Sequence, residues 1–425
     1  VHDVIVVGGG PAGSTLAARL ARRGRRVALF EKERFPRFHI GESLLPCSMP
    51  LFESLGLMPA LERADFLPKF GAEFVSADGA HKKRYAFADG MLGGPPSAFE
   101  VDRSEFDKVL LDHAAREGAV VEEECQVTRF RAELEGPAEV TVRDKSGNER
   151  VERAELLVDA TGQQAFFAGR LGLRRMEPEL RNFAVFSHFE GAVRAEGIRE
   201  GDISVVLVDE GWWWVIPLRG DRTSVGLVGR ASSLAGRKPD EPFLLEHIAA
   251  SPYLSERLSR ARRVAPVRTI SDWSYKSSAL AGDRWLMVGD AGAFIDPVFS
   301  TGVYLGMTGA FVATDFIERA LDTKRFERRR FLAYERKMRK LVSLYTDFVK
   351  GFYTPEFAEL LLHPSDKFQL RAAITSLLAG HGGRSFALSW RVGLFRLLAR
   401  LNRRWPLTPR LPGRRESAGQ AASAI

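Results

Sequence analysis

One stretch near the start limits the architecture more than any other. In DVIVVGGGPAGSTLAARLARRGRRVALFEK, the apolar run Val4 to Val7 is followed at once by glycines, then by a helical pattern over Ser14 to Arg23 that Gly24 stops. A second apolar run, Val27 to Phe30, reads as the parallel return strand. Strand, glycine turn, helix and strand make a βαβ unit, so the chain is expected to build an α/β fold around a parallel sheet.

Within that unit Gly8, Gly10 and Gly13 have the spacing GxGxxG, after a strand and opening a helix. Gly8 allows the tight turn, Gly10 lets the backbone approach a pyrophosphate, and Gly13 permits close helix packing, while the helix N-terminus supplies a positive dipole. Glu31 ends the second strand, where its carboxylate would accept from an adenosine ribose hydroxyl. The chain carries one such fingerprint, so the bound dinucleotide is NAD or FAD.

The rest of the chain supplies a second layer. From Arg103, RSEFDKVLLDHAAREG has a helical stripe, and strands are expected at Val120 to Glu123, Val140 to Arg143 and Leu156 to Val158. Alternating segments between Phe183 and Val228 suggest an antiparallel sheet. One of them is GWWWVIPL, Gly211 to Leu218. In a strand Trp212, Trp214 and Ile216 share one face, and Trp213 and Val215 the other. WLMVGDAGAFIDPVFSTG returns to a buried strand and glycine turn, then a helix from Val303 to about Leu321, and beyond Lys337 the chain looks helical.

The 425 residues suffice for two or three domains. Cys47 and Cys125 stand far apart in no metal-like spacing, so no metal site is expected and the usage suits a reduced compartment. With no signal-peptide pattern and no membrane span, a cytoplasmic protein is the expectation. The formal charge of +8 matches the segment Arg384 to Ile425, which holds nine arginines, no lysine and one acid. Its Trp390, Leu394, Leu397, Leu398, Leu401 and Trp405 form an apolar helical stripe, with Arg396, Arg400, Arg403 and Arg404 on another face. Such a helix suits an acidic protein, nucleic acid or a membrane surface, or docks on its own domain.

VGDAGAFIDPVFSTG resembles the GD segment of FAD-dependent aromatic hydroxylases, and the resemblance assigns the flavin, with Asp290 on the ribitol. Arg103 and LVDATG also sit where that superfamily contacts FAD. The ordered set GGGPAGS, RFPRFHIGESLLP, FLPKFGAEF, WWWVIP and DPVFSTGV narrows the match. It is similar to the flavin-dependent halogenases marked by WxWxIP, in the branch acting in polyketide and nonribosomal peptide pathways. The match runs from the N-terminus to about Leu321 and continues more loosely through the helical end.

The resemblance implies an FAD-binding Rossmann-like domain in segments 1–75, 98–165 and 265–330. The sequence patterns add a substrate-side β-sheet domain at 76–97 and 166–264, a helical region at 331–412 and a disordered tail at 413–425. Arg37 and Ser43 join Gly8, Gly10, Gly13, Glu31, Arg103, Asp290 and Gly302 as cofactor contacts. In the family, reduced FAD delivered by a separate flavin reductase reacts with oxygen to a flavin hydroperoxide, and chloride converts it to hypochlorous acid. A lysine on the acid's route, by position Lys69, steers it to an electron-rich ring. Thr301 and Gly302 offer backbone N–H groups either to chloride or to the flavin's own carbonyl. Trp212 and Trp214 would form a partition between ring and flavin, although a core role fits the same pattern. The implied partners are a small aromatic substrate, free or on an acyl or peptidyl carrier protein, and not nucleic acid. The alternatives are an FAD-dependent aromatic monooxygenase or geranylgeranyl-type reductase of the same fold, and a binding protein with a vestigial flavin site.

Overall fold

The computed structural model describes residues 1–209, 211–382 and 385–411, so the tail expected at 413–425 lies outside the described residues. The βαβ start folds as read: strand His2–Val7, helix Pro11–Arg22 and strand Val27–Phe30. These strands are central in a sheet whose parallel part runs Trp285–Met287, Glu149–Asp159, His2–Val7, Val27–Phe30, Val120–Glu122. Every residue of Val4 to Val7 is buried, because the period of two sends Val4 and Val6 to one apolar cluster and Ile5 and Val7 to another. On the first side lie Pro11–Arg22, Arg103–Arg116 and the long helix Gly302–Thr323, which supply Leu16, Leu111 and Ala310 to that cluster. On the other, Val127, Val140 and Val142 of an antiparallel extension close the core with Phe167.

A second sheet is ordered Arg262–Arg263, Asn182–Glu190, Arg222–Arg230, Gly211–Pro217, Ile203–Leu207, Gly71–Ser76, Lys82–Ala86, with Arg268–Ser271 also paired to Asn182–Glu190. It is antiparallel except where Ile203–Leu207 runs parallel to Gly71–Ser76. Two expected boundaries therefore move. Gly71–Ser76 and Arg268–Ser271, placed by the sequence reading with the nucleotide domain, hydrogen-bond into the second sheet. Each is a short strand whose partner is distant in the chain, so its own composition carries no sign of which sheet it joins.

The tryptophan strand ends on Pro217 and alternates as its pattern requires. Trp213 and Val215 pack on the face covered by helices Glu241–Ala250 and Pro252–Arg257. Trp212, Trp214 and Ile216 take the opposite face, in one cluster with Phe348 and Phe352 of helix Leu332–Phe352. Opposite Trp214 in register stands Gly226, and a Cβ there would fall 2.2 Å from the indole, so glycine makes the room the ring occupies. Helix Phe386–Arg404 packs against the helical region with Leu388, Val392, Phe395 and Ala399. The stripe read in the sequence is used only in part: Leu398 packs with this face, while Trp390, Leu397 and Trp405 are 37%, 48% and 55% exposed. Both faces are apolar, and the tertiary contact alone chooses between them. Among the described residues, no helix is long and apolar enough to cross a membrane.

Candidate active site

A cavity of about 410 Å³ lies between the two sheets, within the range of sites that enclose organic ligands. One wall is made by the carboxyl ends of the parallel strands: Val7, Gly8 and Gly10 to Ala12 around the glycine turn, Phe30 to Glu33, Ala160 to Gln164 and Val288 to Asp290. Open parallel sheets bind ligands at this edge. The other wall is the second sheet's face, with Phe186, Ile203, Trp212, Trp214 and Ile216.

The glycine turn is built for close approach. Gly8 has φ +105°, and a Cβ there would sit 2.5 Å from the Ala160 carbonyl oxygen; at Gly13 it would sit 1.9 Å from the Gly8 oxygen. Gly10 differs, because the nearest atom to its Cβ position is Arg37 Nη2 at 4.0 Å. Side-chain room there opens to the cavity rather than into the fold. Glu31 is 5% exposed; its Oε2 accepts from the Gly9 N–H at 2.6 Å and its Oε1 from the Glu33 N–H at 2.9 Å, so it also shapes the turn. These features fit a dinucleotide pyrophosphate at the start of helix Pro11–Arg22.

Arg37 and Arg103 both line the cavity and converge on Asp107, which is fully buried. Arg37 Nη1 donates to Asp107 Oδ2 at 2.9 Å, and Arg103 donates through Nε to Oδ1 at 2.8 Å and through Nη2 to Oδ2 at 3.0 Å. Burial pushes this carboxyl up, but the two guanidinium groups outweigh it and hold it below its ordinary value. Arg103 Nη1 also donates to the Ile40 carbonyl at 2.8 Å, fixing the loop that leads to Ser43. Asp290 lines the same cavity, and burial raises its carboxyl to about 7, partly opposed by Arg103. Gly302, at the start of Gly302–Thr323, is in the lining; Thr301 is 4% exposed and is not.

Lys69 is buried, with 1% exposure. Its Nζ donates to Ser43 Oγ at 2.6 Å and to the Leu44 carbonyl at 3.2 Å, and Glu100 Oε1 lies 3.8 Å away. Ser43 Oγ donates in turn to Glu100 Oε1 at 3.1 Å. Burial lowers the Lys69 amine, with Glu100 opposing, and raises the Glu100 carboxyl to about 8, with Lys69 and Ser43 opposing. Lys69 is not itself part of the cavity wall; Ser43 is. Thus the lysine meets the cavity through a hydroxyl.

The two cavity-facing indoles are anchored differently. Trp214 Nε1 donates to Ser224 Oγ at 3.0 Å, within the sheet. Trp212 Nε1 donates to the Tyr353 hydroxyl at 3.1 Å, which donates to Asp296 Oδ2 at 2.8 Å. Asn182 Nδ2 reaches the same Asp296 oxygen at 3.1 Å, and burial lifts that carboxyl to about 6. This chain ties the tryptophan strand to the loop before Gly302–Thr323.

Residues 2–349 match the family described as "FAD binding domain". A flavin-dependent halogenase of Armillaria mellea, armH3, is 33% identical over 402 residues, covering 88% of this chain and 79% of the relative. The 1H-pyrrole-2-carbonyl-[peptidyl-carrier protein] chlorinase of Pseudomonas fluorescens is 33% identical over 377 residues, 83% of either chain. This chain belongs to the flavin-dependent halogenases. The myxobacterial chondrochloren halogenase CndH has the same fold, with a TM-score of 0.77, 30% identity and coverage of 93% and 97%. The halogenase is an FAD-dependent oxidoreductase.

Sequence reading missed several groups of the halogenase site. Asp107 stands four residues after Arg103 on one helix face, a spacing that pairs opposite charges, so its signal was present. Glu42 lies inside GESLLP but had no visible partner. Glu100, His188, Asp296 and Tyr353 stand in apolar or turn contexts, and only packing brings them to the site.

Proposed function

We propose that this flavin-dependent halogenase chlorinates an electron-rich aromatic ring carried on a carrier protein, with Lys69 handling the halogenating species. The observation that carries the reading is the buried Lys69 amine, bonded to Ser43 in the wall of the cavity that the glycine turn and Asp290 also line. Reduced FAD, when bound, supplies a hypohalous acid from oxygen and halide. The carrier-bound ring is favoured by the pyrrole-carrier chlorinase among the relatives.

In this reading Gly8, Gly10 and Gly13 hold the pyrophosphate and Glu31 the adenosine ribose. Asp290 takes the ribitol, while Arg37, Ser43, Arg103 and Gly302 complete the cofactor's surroundings, and the Gly302 end of the helix, with Thr301 behind it, attracts chloride. Trp212 and Trp214 keep the ring off the cofactor and exclude water, leaving a route for a much smaller oxidant. Lys69, its amine lowered by burial and set beside Glu100, has a proton to share through Ser43; it orients the acid by hydrogen bonding, or its neutral amine forms an N–Cl bond as the O–Cl bond breaks, the hydroxide leaving as water with the amine's proton. Incubation with reduced FAD, oxygen, chloride and a panel of free and carrier-bound aromatic acids tests the reading. The expected result is a chloride-dependent mass shift on a carrier-bound ring. Oxygenated product without halide dependence would favour a monooxygenase instead.

A further inference from the structure

Behind the tryptophan strand, Trp212, Asn182 and Asp296 meet at the hydroxyl of Tyr353. The Tyr353 oxygen donates its hydrogen to Asp296 Oδ2 at 2.8 Å, and it accepts from Asn182 Nδ2 at 2.8 Å and from Trp212 Nε1 at 3.1 Å. A phenol has one hydrogen and two lone pairs, so all three are used. The other hydrogen of the Asn182 amide goes to Asp296 Oδ2 at 3.1 Å. Asp296 Oδ1 accepts from the Val298 N–H at 3.1 Å and so caps the turn Pro297–Phe299. Asn182 and Asp296 are both buried.

These groups come from separate parts of the chain. Trp212 belongs to the second sheet, Asn182 begins a neighbouring strand, Asp296 precedes the turn that leads to Gly302, and Tyr353 follows helix Leu332–Phe352. Pro297, Ser300 and Gly302 line the cavity on one side, as Trp212 does on the other. A single carboxylate therefore supports both walls: one oxygen holds the turn, and the other holds the phenol that holds the indole. Trp214, bonded to Ser224 within its own sheet, does not share this support. Asp296 accepts three hydrogen bonds, a set that suits the ionised form, and the pull of a carboxylate on the Tyr353 hydrogen makes the phenol oxygen a better acceptor for Trp212. A proton on Asp296 removes that pull, and on Oδ2 it points at an oxygen whose lone pairs are both taken. The Trp212 bond is the longer of the two that Tyr353 accepts, and Asn182 is also held by Asp296, so the indole is the donor that yields. Burial favours this proton and lifts the carboxyl to about 6, with Tyr353, the Val298 N–H and Asn182 opposing. Among the described residues, the other charged group acting on the pair is Arg230, which lies over the Tyr353 ring at 5.5 Å.

We propose that Asp296, acting through Tyr353, is the positioning residue of the partition: as a carboxylate it holds the Trp212 indole in the cavity wall, and on taking a proton it releases the indole and admits water to the cofactor side. This rests on the reading of Trp212 as a partition, and adds what holds it in place and what frees it. It also gives the helical region a part in the reaction, because Tyr353 at the end of Leu332–Phe352 is the only link between Asp296 and the indole.

The test labels the FAD-loaded protein with fluorotryptophan and follows the indoles by fluorine NMR, Trp212 being the resonance missing from Trp212→Phe. In wild type that resonance should shift with a midpoint near pH 6, and Trp214, held by Ser224, should shift less. Asp296→Asn and Tyr353→Phe should hold the Trp212 resonance at its low-pH position throughout, which also separates this titration from that of Asp290. With reduced FAD, oxygen and chloride supplied, the share of reduced FAD that ends as hydrogen peroxide should rise about three- to tenfold, the factor that one lost hydrogen bond is worth. The rise should appear below pH 6 in wild type and at every pH in Tyr353→Phe. A wild-type Trp212 resonance that stays still through pH 6 would overturn the proposal without any variant having to fold, as would a titration that persists in Asp296→Asn. A shift of Trp212 with no change in peroxide would sink the partition reading and leave this support of the indole standing.

Discussion

At the cofactor end of the cavity, Gly8, Gly10, Gly13 and Glu31 come from one βαβ unit and act through backbone geometry. Around Glu42 and Ser43 of the cavity wall, Lys69, Glu100 and His188 gather from three further segments, and these groups act through buried side chains. The first is fixed by local steric rules. The second exists only once the paired strands Leu67–Lys69 and Ala98–Glu100, strand Asn182–Glu190 and the loop that holds Glu42 and Ser43 have met, and it concentrates charge where burial makes charge costly.

The largest expected effect separates fold from cofactor at the glycine end. Gly10→Val should abolish FAD occupancy, read by flavin absorbance, with little change in the melting temperature of the FAD-free protein, because its side chain enters the cavity. Gly13→Val should instead prevent stable folding, since its Cβ meets the Gly8 carbonyl at 1.9 Å. If both variants simply lost the flavin, the turn would not be divided between packing and binding.

Next in size, Lys69→Ala acts behind Ser43 of the cavity wall. Halogenation should fall on the order of 10²–10³-fold, the scale for loss of one preorganised donor, with FAD occupancy and hydrogen peroxide release retained. Undiminished product formation would remove Lys69 from the chemistry.

Smaller effects come from pH. Asp290, raised to about 7, binds its proton in the folded protein where the unfolded chain has lost it. Its stabilising contribution is full below about pH 4 and is lost as pH rises through 7. The FAD-free protein should therefore lose stability on the order of 1–3 kcal/mol over that window, and Asp290→Asn should flatten the slope in thermal melts. Glu100→Gln should flatten the slope up to about pH 8 and lower stability above it, where Lys69 loses its nearest carboxylate. Equal stability of the two variants would mean that burial, not pairing, governs both ends.

The smallest effect lies outside the cavity. Arg396 pairs with Asp347, but among the described residues no carboxylate pairs with Arg400, Arg403 or Arg404, which stand beside exposed Leu397 and Trp405. If an acidic carrier docks there, Arg400→Gln, Arg403→Gln and Arg404→Gln together should slow chlorination of a carrier-bound ring a few-fold, and added salt should do the same, since surface charges act over about 8 Å at physiological ionic strength. The free acid should show neither effect. Salt-independent rates would return this helix to a plain surface.

The sequence by itself determined the parallel sheet, the glycine turn and the alternation of the tryptophan strand. Each depends on neighbours within a few residues, where chain geometry leaves one answer: Gly8 needs positive φ, and Trp212 and Trp214 must share a face whatever packs on it. It also pointed to Lys69, though only through a family resemblance. Tertiary structure decided what the pattern left open. It placed Gly71–Ser76 in the second sheet, chose which apolar face of Phe386–Arg404 is buried, and put Ser43 between Lys69 and the cavity. It alone brought Glu42 to His188 and Trp212 to Tyr353. A polar residue takes its role from the partner that satisfies it, and when that partner lies a hundred residues away, local pattern carries no trace of the pairing.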